Sequence, residues 1–210
     1  MKLTDCRTEG RNRSSQTAAL MLFASICLVA GAVPATAQQT NARTGQWMAL
    51  GIGTGVDRVT CDVCAGDLNT GLSGFGRFGG TLSSKVRVGA QVSAWTRSEQ
   101  GRGEDRIRET MWSLMGLIVY RPGPSDRLHF TGGLGLLGYR ASEDGSALTS
   151  TTLGLTAGVG YDVWVRPDLS VAPFAQLMIA PHSSLNFNGE TAAGNARFGM
   201  LQAGLELTWH

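Results

Sequence analysis

Eight stretches of this chain alternate apolar residues with small or polar ones at a period of two, and this pattern restricts the fold more than any other feature. In the sixth stretch Leu153, Leu155 and Val159 share one face, while glycine and threonine occupy the other. Such alternation is typical of β-strands whose two faces meet different environments. Each stretch has about the 9 to 11 residues that a tilted strand needs to cross a bilayer. The predicted strands are 46–56, 71–82, 86–97, 108–121, 127–140, 151–164, 169–179 and 196–209.

The connections between these strands alternate in length. The short ones contain mainly turn-forming residues and comprise 83–85, 122–126 and 165–168. The long polar ones are 57–70, 98–107, 141–150 and 180–195. Short turns at one end and longer loops at the other are typical of transmembrane barrels. The sequence therefore predicts an all-β fold, a closed eight-stranded antiparallel up-and-down transmembrane β-barrel with four outward loops and both termini on the short-turn side.

The first 37 residues have the three parts of a secretory signal peptide. Lys2 and Arg7 belong to a basic start, an apolar run covers 18–32, and Ala35 to Ala37 form a small-x-small cleavage site. The apolar run is shorter than the roughly 20 residues of a spanning helix. We therefore expect a signal peptide at 1–37 and a barrel domain at 38–210.

The charge balance gives no indication of a nucleic-acid partner. The predicted signal contains four of the 18 basic and two of the 16 acidic residues, which leaves 14 of each in the exported chain. A nucleic-acid-binding domain would show a basic stripe instead. Of the 29 glycines, 27 follow residue 37, roughly twice the usual share of about 7%. Many of them fall on the more polar strand face.

Charged residues within the strands indicate which face is turned away from lipid. A basic side chain on the lipid face costs about 2 to 4 kcal/mol at the middle of the bilayer, so the face carrying glycine, serine and mid-strand charges should line the lumen. Arg77 cannot be assigned to either face from the alternation. We expect a hydrogen-bonded polar network that fills the lumen, since eight strands leave little free space. Its predicted members are Arg87, Gln91, Asp162, Gln176, Gln202 and Glu206. A narrow conducting path is the alternative.

Tryptophan and tyrosine residues lie near the predicted strand ends. Amphipathic aromatic side chains form girdles at both membrane interfaces of transmembrane barrels. The predicted interface residues on the turn side are Trp47, Tyr120, Tyr161, Trp164 and Trp209, and those on the loop side are Trp95, Trp112 and Tyr139.

Cys61 and Cys64 lie in the first long loop. In an exported protein such a pair most simply forms a disulfide. The histidine that haem attachment requires does not follow Cys64, and no second cysteine or histidine pair is close enough in sequence for a closed zinc site. We therefore predict a disulfide, and neither a metal nor a cofactor.

The last nine residues resemble the C-terminal signal of bacterial outer-membrane barrels. Gln202, Gly204, Leu207 and Trp209 have the spacing polar-x-Gly-x-x-apolar-x-aromatic, although His210 follows the aromatic residue on which that family usually ends. With the features above, the exported chain resembles the small eight-stranded barrels of the OmpA, OmpX and OmpW type. The resemblance implies the outer membrane of a Gram-negative-type bacterium, with its lipids and the barrel-assembly machinery as partners. It leaves any ligand of the outward loops open.

One short motif suggests an enzymatic alternative. His182 and Ser184, followed by Asn186, loosely resemble the His-x-Ser-Asn motif of outer-membrane lipid A 3-O-deacylases, in which histidine activates serine to attack an ester. The match departs from the family at the asparagine spacing and has no suitable later acid. The sequence favours a non-enzymatic barrel that serves envelope structure or surface interaction. A narrow duct for small apolar or neutral solutes and a lipid A ester hydrolase are the alternatives.

Overall fold

The computed structural model describes residues 45–61, 66, 68–100, 106–122, 127–143, 146–187 and 190–210. The predicted signal peptide lies outside these residues, so its cleavage after Ala37 stays a prediction. In the described part of the chain no helix is long and apolar enough to cross a membrane.

The described residues form a closed antiparallel barrel. Its strands are β1 (Gln46–Thr60), β2 (Leu68–Thr81), β3 (Val86–Gln100), β4 (Arg106–Tyr120), β5 (Leu128–Glu143), β6 (Ser146–Tyr161), β7 (Val163–Arg166), β8 (Leu169–Phe187) and β9 (Glu190–Trp209). Each strand pairs with its neighbour in the chain except that β6 and β7, which flank Asp162, both pair with β8 and act as one barrel strand. Pairing of β1 with β9 closes the ring. The predicted eight-stranded barrel is confirmed.

Burial alternates along the strands in the sense expected of a barrel in lipid. In β1, Trp47 and Ala49 are buried in the lumen, whereas Leu50 and Ile52 point outward and are 52% and 65% exposed. The same outward apolar face continues around the ring, with exposed leucine, isoleucine, valine and phenylalanine on neighbouring strands. An apolar band of this extent on a soluble protein would be a liability. In a bilayer it is the surface that lipid covers.

The predicted long loops are wrong in extent, because the strands continue into them. The fourth connection was expected to cover 180–195, yet β8 continues to Phe187 and β9 begins at Glu190. Likewise β5 and β6 extend into the expected loop 141–150. Serine, threonine and asparagine can continue an antiparallel ladder above the membrane, where pairing satisfies their backbone groups. The two barrel ends therefore differ in strand extension rather than in loop length.

We call the end with these extensions the loop side and the opposite end the turn side. On the loop side, β8 continues for eight residues beyond Ile179, the last large apolar residue of its outward face. On the turn side, β8 begins at Leu169, only two residues before the outward Val171. Transmembrane barrels extend outside the cell and end in short periplasmic turns. We therefore expect the loop side to be the outer side.

Candidate functional site

The centre of the lumen is occupied by Arg77, whose side chain crosses from β2 to three other strands. Alternation in β2 buries Ser73, Phe75 and Arg77 on the inner face. Arg77 Nε donates to Gln91 Oε1 at 2.7 Å, and Nη1 contacts Glu206 Oε2 at 2.7 Å. Its Nη2 donates to Gln176 Oε1 at 3.1 Å. The guanidinium also lies 4.1 Å from the centroid of the Phe75 ring, a cation-π contact.

Three glutamines extend this group into a continuous network. Gln176 Nε2 donates to Gln91 Oε1 at 3.2 Å and to Thr156 Oγ1 at 2.6 Å, while Gln202 Nε2 donates to Gln176 Oε1 at 2.8 Å. The strand register explains the proximity, since Gln176 lies directly opposite Gln202 and Arg77 opposite Gln91. We call Arg77, Gln91, Gln176, Gln202 and Glu206 the central network.

A second polar group lies at the turn-side mouth of the lumen. Asp162 contacts Arg121 Nη1 at 2.7 Å and His129 Nδ1 at 3.5 Å, and Ser170 Oγ donates to Asp162 Oδ1 at 3.0 Å. Ser170 Oγ is also 3.2 Å from the His210 ring nitrogen Nε2. Asp162, which lies between β6 and β7, is thereby linked through Ser170 of β8 to His210 at the C-terminus.

The loop-side half of the lumen is mainly apolar, although Asp57, Arg97 and Glu109 also point inward near its mouth. Trp95, Met111, Met115, Leu137 and Met200 are completely or almost completely buried there, together with other members of one cluster. The Tyr139 and Phe198 rings in the same cluster are 5.3 Å apart. The expectation of a polar lumen is therefore met only in part in this half. The physical reason is that inward positions of a narrow barrel are shielded from lipid and water alike, so they can pack as in the core of a soluble protein.

Comparison with known proteins identifies the architecture. The sequence pattern of the family described as "Outer membrane protein beta-barrel domain" matches residues 23–206, which is most of the chain. This chain belongs to that family. The outer-membrane barrel therefore resides in the bacterial outer membrane. Among curated proteins, none matches its sequence.

Two solved structures share the barrel fold of this chain. Ail, the attachment invasion locus protein of Yersinia pestis, in complex with the heparin analogue sucrose octasulfate, matches with a TM-score of 0.56 at 13% identity, covering 79% of this chain and 99% of that one. A second Ail structure gives 0.52 at 14%, with the same coverage. Neisserial surface protein A gives 0.49 at 17%, covering 80% and 98%. At these identities the similarity to Ail shows the fold alone.

The outer-membrane barrel brings together four of the six residues predicted for its lumen. Gln91, Gln176, Gln202 and Glu206 join the central network. Asp162 belongs instead to the turn-side group, and Arg87 is buried nearer that side, where it lies opposite Val119. The centre is held by Arg77. The sequence does not assign Arg77 to a face, because the glycines around it obscure the alternation. Ser73 and Phe75, at four and two residues before it, lie on the same inward face.

The aromatic assignments are partly wrong. Trp47, Trp95 and Tyr139 were expected at the membrane interfaces but are buried in the lumen, at 5%, 0% and 6% exposure. In β1, β3 and β5 the odd-numbered residues point inward, and these three aromatic residues have odd numbers. The alternation along the strand therefore determines which face each side chain takes, even close to a strand end. Trp112, Tyr120 and Tyr161 are 41 to 45% exposed on the outer surface. Trp164 and Trp209 are half-buried on the turn side.

The remaining candidate residues lie on the loop side. Cys61 is disulfide-bonded, and its predicted partner Cys64 lies outside the described residues, so the pairing stays a prediction. His182 and Ser184 are both exposed on the extension of β8. The Thr152 hydroxyl donates a hydrogen bond to the backbone carbonyl of His182, and the Ser183 hydroxyl donates one to that of Ser184. In the described residues no hydrogen bond joins the His182 ring to the Ser184 hydroxyl.

Proposed function

We propose that this outer-membrane barrel is a sealed, non-enzymatic membrane anchor that presents its loop side for surface interaction or envelope structure. The observation that carries the proposal is the central network. Arg77 on β2 is bonded to Gln91 on β3, Gln176 on β8 and Glu206 on β9. These strands lie on both sides of the β1 to β9 closure, so the bonds cross the lumen rather than follow its wall.

Two further layers support a sealed lumen. The apolar cluster around Trp95 and Met115 lies on the loop side of the central network, and the group around Asp162 lies on its turn side. The interior of an eight-stranded barrel is just wide enough for side chains to fill. An ion moving along the axis would have to separate the buried Arg77 and Glu206 side chains and then cross an apolar layer. Both steps are costly.

A sealed barrel leaves its projecting end as the part available to other molecules. Beyond the outward apolar band, β8 and β9 extend as a paired ladder, and exposed polar side chains such as His182 and Ser184 cover it. Residues on loops and strand extensions held by a rigid scaffold are the usual location of binding functions. This supports a role at the cell surface rather than within the lumen.

Conductance and solute uptake test the proposal directly. The full exported chain, folded in planar bilayers and liposomes, should give no single-channel steps and no swelling in sugars or amino acids, whereas a conducting porin treated identically should give both. Steps that scale with inserted protein and disappear on heat denaturation would contradict the sealed lumen. Uptake of small apolar solutes by the liposomes would instead favour a lateral duct and would equally overturn the proposal.

A further inference from the structure

At the loop end of the barrel the inward charged side chains have both signs, whereas the described outward ones are all arginines. Asp57 and Glu109 point inward, and Glu109 pairs with the inward Arg97 at 3.1 Å. The neighbouring residues Arg58 and Arg108 point outward and are exposed. The remaining outward arginines on this side are Arg140 and Arg197. The exposed Glu99 continues the inward alternation of Trp95 and Arg97 and pairs with Arg97 at 2.6 Å. Among strand residues on this side with described side chains, every outward charge is therefore positive.

The strand register groups these arginines into two pairs. Arg58 lies opposite Gly199 and Arg197 opposite Thr60, so the two arginines are diagonal neighbours on adjacent strands. Such neighbours lie about 7 to 8 Å apart, and their Cβ atoms are somewhat closer. Gly199 carries no side chain, which leaves room between them. Arg58 Nε also donates to Gly66 O at 3.0 Å, and this bond ties its guanidinium to the first loop.

The second pair has the same geometry on the opposite side of the barrel. Arg108 lies opposite Ser142 and Arg140 opposite Thr110, again as diagonal neighbours. Two barrel strands separate β1 from β4, and two separate β5 from β9 when β6 and β7 are taken as one. We call Arg58 with Arg197, and Arg108 with Arg140, the two arginine pairs. In the described residues no carboxylate forms an ion pair with any of the four.

Both pairs lie just above the lipid-facing band. On the outward face, the residues directly below Arg58 and Gly199 are Val56 and Leu201, and an exposed Leu205 follows further down. Below Arg140 comes Trp112, paired with Gly138. With a rise of about 3.3 Å per residue, the arginines lie within one or two residues of the end of the apolar band. That height corresponds to the headgroups of the outer leaflet.

We propose that each arginine pair binds the phosphate group of a lipid in the outer leaflet. Two like charges placed as neighbours repel each other, and an anion between them removes that repulsion. A guanidinium matches a phosphate with two parallel hydrogen bonds. The apolar band below each pair offers a surface for the acyl chains of the same molecule. A phosphorylated glycolipid satisfies both requirements, whereas a soluble anion uses only the first.

Lipid binding to the folded full-length exported chain tests the proposal, with diphosphoryl lipid A and its dephosphorylated form as probes. Native mass spectrometry from detergent micelles should show up to two diphosphoryl lipid A molecules per barrel. The variants Arg58→Gln with Arg197→Gln, and Arg108→Gln with Arg140→Gln, should each lose one bound molecule, with affinity at the altered site falling about tenfold. Arg166→Gln, an exposed change on the turn side, should bind as the unaltered protein does.

The controls separate the possible outcomes. Heat-modifiable gel migration verifies that each variant is folded, and Arg→Lys versions of both pairs provide milder changes, which should weaken phosphate binding by a smaller factor. Equal binding of phosphorylated and dephosphorylated lipid A, or unchanged binding by both double variants, would overturn the proposal. Sucrose octasulfate bound more tightly than the lipid would reassign the pairs to a soluble polyanion. None of these results depends on whether the lumen conducts.

Discussion

The Arg77 guanidinium lies in the middle of the lumen and has to be satisfied there. An arginine side chain has five N–H donors and no acceptor, so burial requires several acceptors around it. Glu206 supplies the opposite charge, and Gln91 and Gln176 supply neutral carbonyl oxygens. Removing one partner of a buried ion pair leaves the other charge uncompensated, whereas replacing both with apolar residues can be nearly neutral.

Arg77→Met should therefore lower the free energy of unfolding by about 3 to 5 kcal/mol. Adding Glu206→Met should recover much of that loss, since neither charge of this pair is then left buried without its partner. Urea titration of the folded protein in lipid vesicles, followed by tryptophan fluorescence and gel migration, measures both values. The exposed Arg166→Gln should change stability by no more than about 0.5 kcal/mol. If the double variant is less stable than Arg77→Met, the uncompensated charge of Glu206 is not the cause of the lost stability, and the prediction is wrong.

At the level of strands, the closure of the barrel depends on β9, which pairs with β8 on one edge and β1 on the other. Near its middle, Gly53 of β1 lies directly opposite Gly204 of β9. A Cβ on either would collide with backbone atoms of the facing strand. At the end of β9, Trp209 lies opposite Leu169 of β8 and opposite Met48 of β1. The aromatic residue of the predicted assembly signal thus forms the last residue pair with both neighbouring strands.

C-terminal truncation tests the role of this end. His210 N donates to Asp168 O at 2.9 Å, and its ring lies 4.6 Å from that of Trp164, but these contacts lie beyond the strand. Deleting His210 should therefore leave assembly intact. Deleting Trp209 as well should reduce the yield of heat-modifiable protein in the outer-membrane fraction, and Trp209→Phe should retain it because the aromatic is kept. If both truncations assemble equally well, the tail is an ordinary strand end and not a signal.

Strand number and pairing order could be predicted from the sequence because the alternation is local and closure leaves few arrangements. The extent of the strands could not. In β8, residues such as Pro181 and Asn186 are weak strand formers individually, and only pairing with the neighbouring strands continues the ladder. The lumen was only partly predictable for a related reason. Parity could have placed Trp95 and Tyr139 inside, but the meeting of Arg77 with Glu206 depends on a contact between strands far apart in sequence.

At the scale of the whole molecule, the apolar band is the feature that relates the barrel to its membrane. Leu134 and Leu68 are both outward and almost equally exposed, at 67% and 70%. They differ in height. Leu134 lies near the middle of β5, between the outward Phe130 and Leu136, whereas Leu68 lies at the loop end of β2, opposite Arg58. If only solvent exposure mattered, a charge would be tolerated equally at the two positions. In a membrane, the charge should cost more at Leu134 than at Leu68.

Leu134→Arg should destabilise the folded barrel in lipid vesicles by about 2 to 4 kcal/mol, and Leu68→Arg by no more than about 1 kcal/mol, because the cost of a lipid-facing charge falls towards the interface. Urea unfolding midpoints in vesicles measure the difference, and Leu134→Ala controls for loss of the leucine side chain itself. Equal costs for the two arginine variants would mean that Leu134 and Leu68 meet the same surroundings. That result would contradict the position of the band and, with it, the headgroup level at which the two arginine pairs are placed.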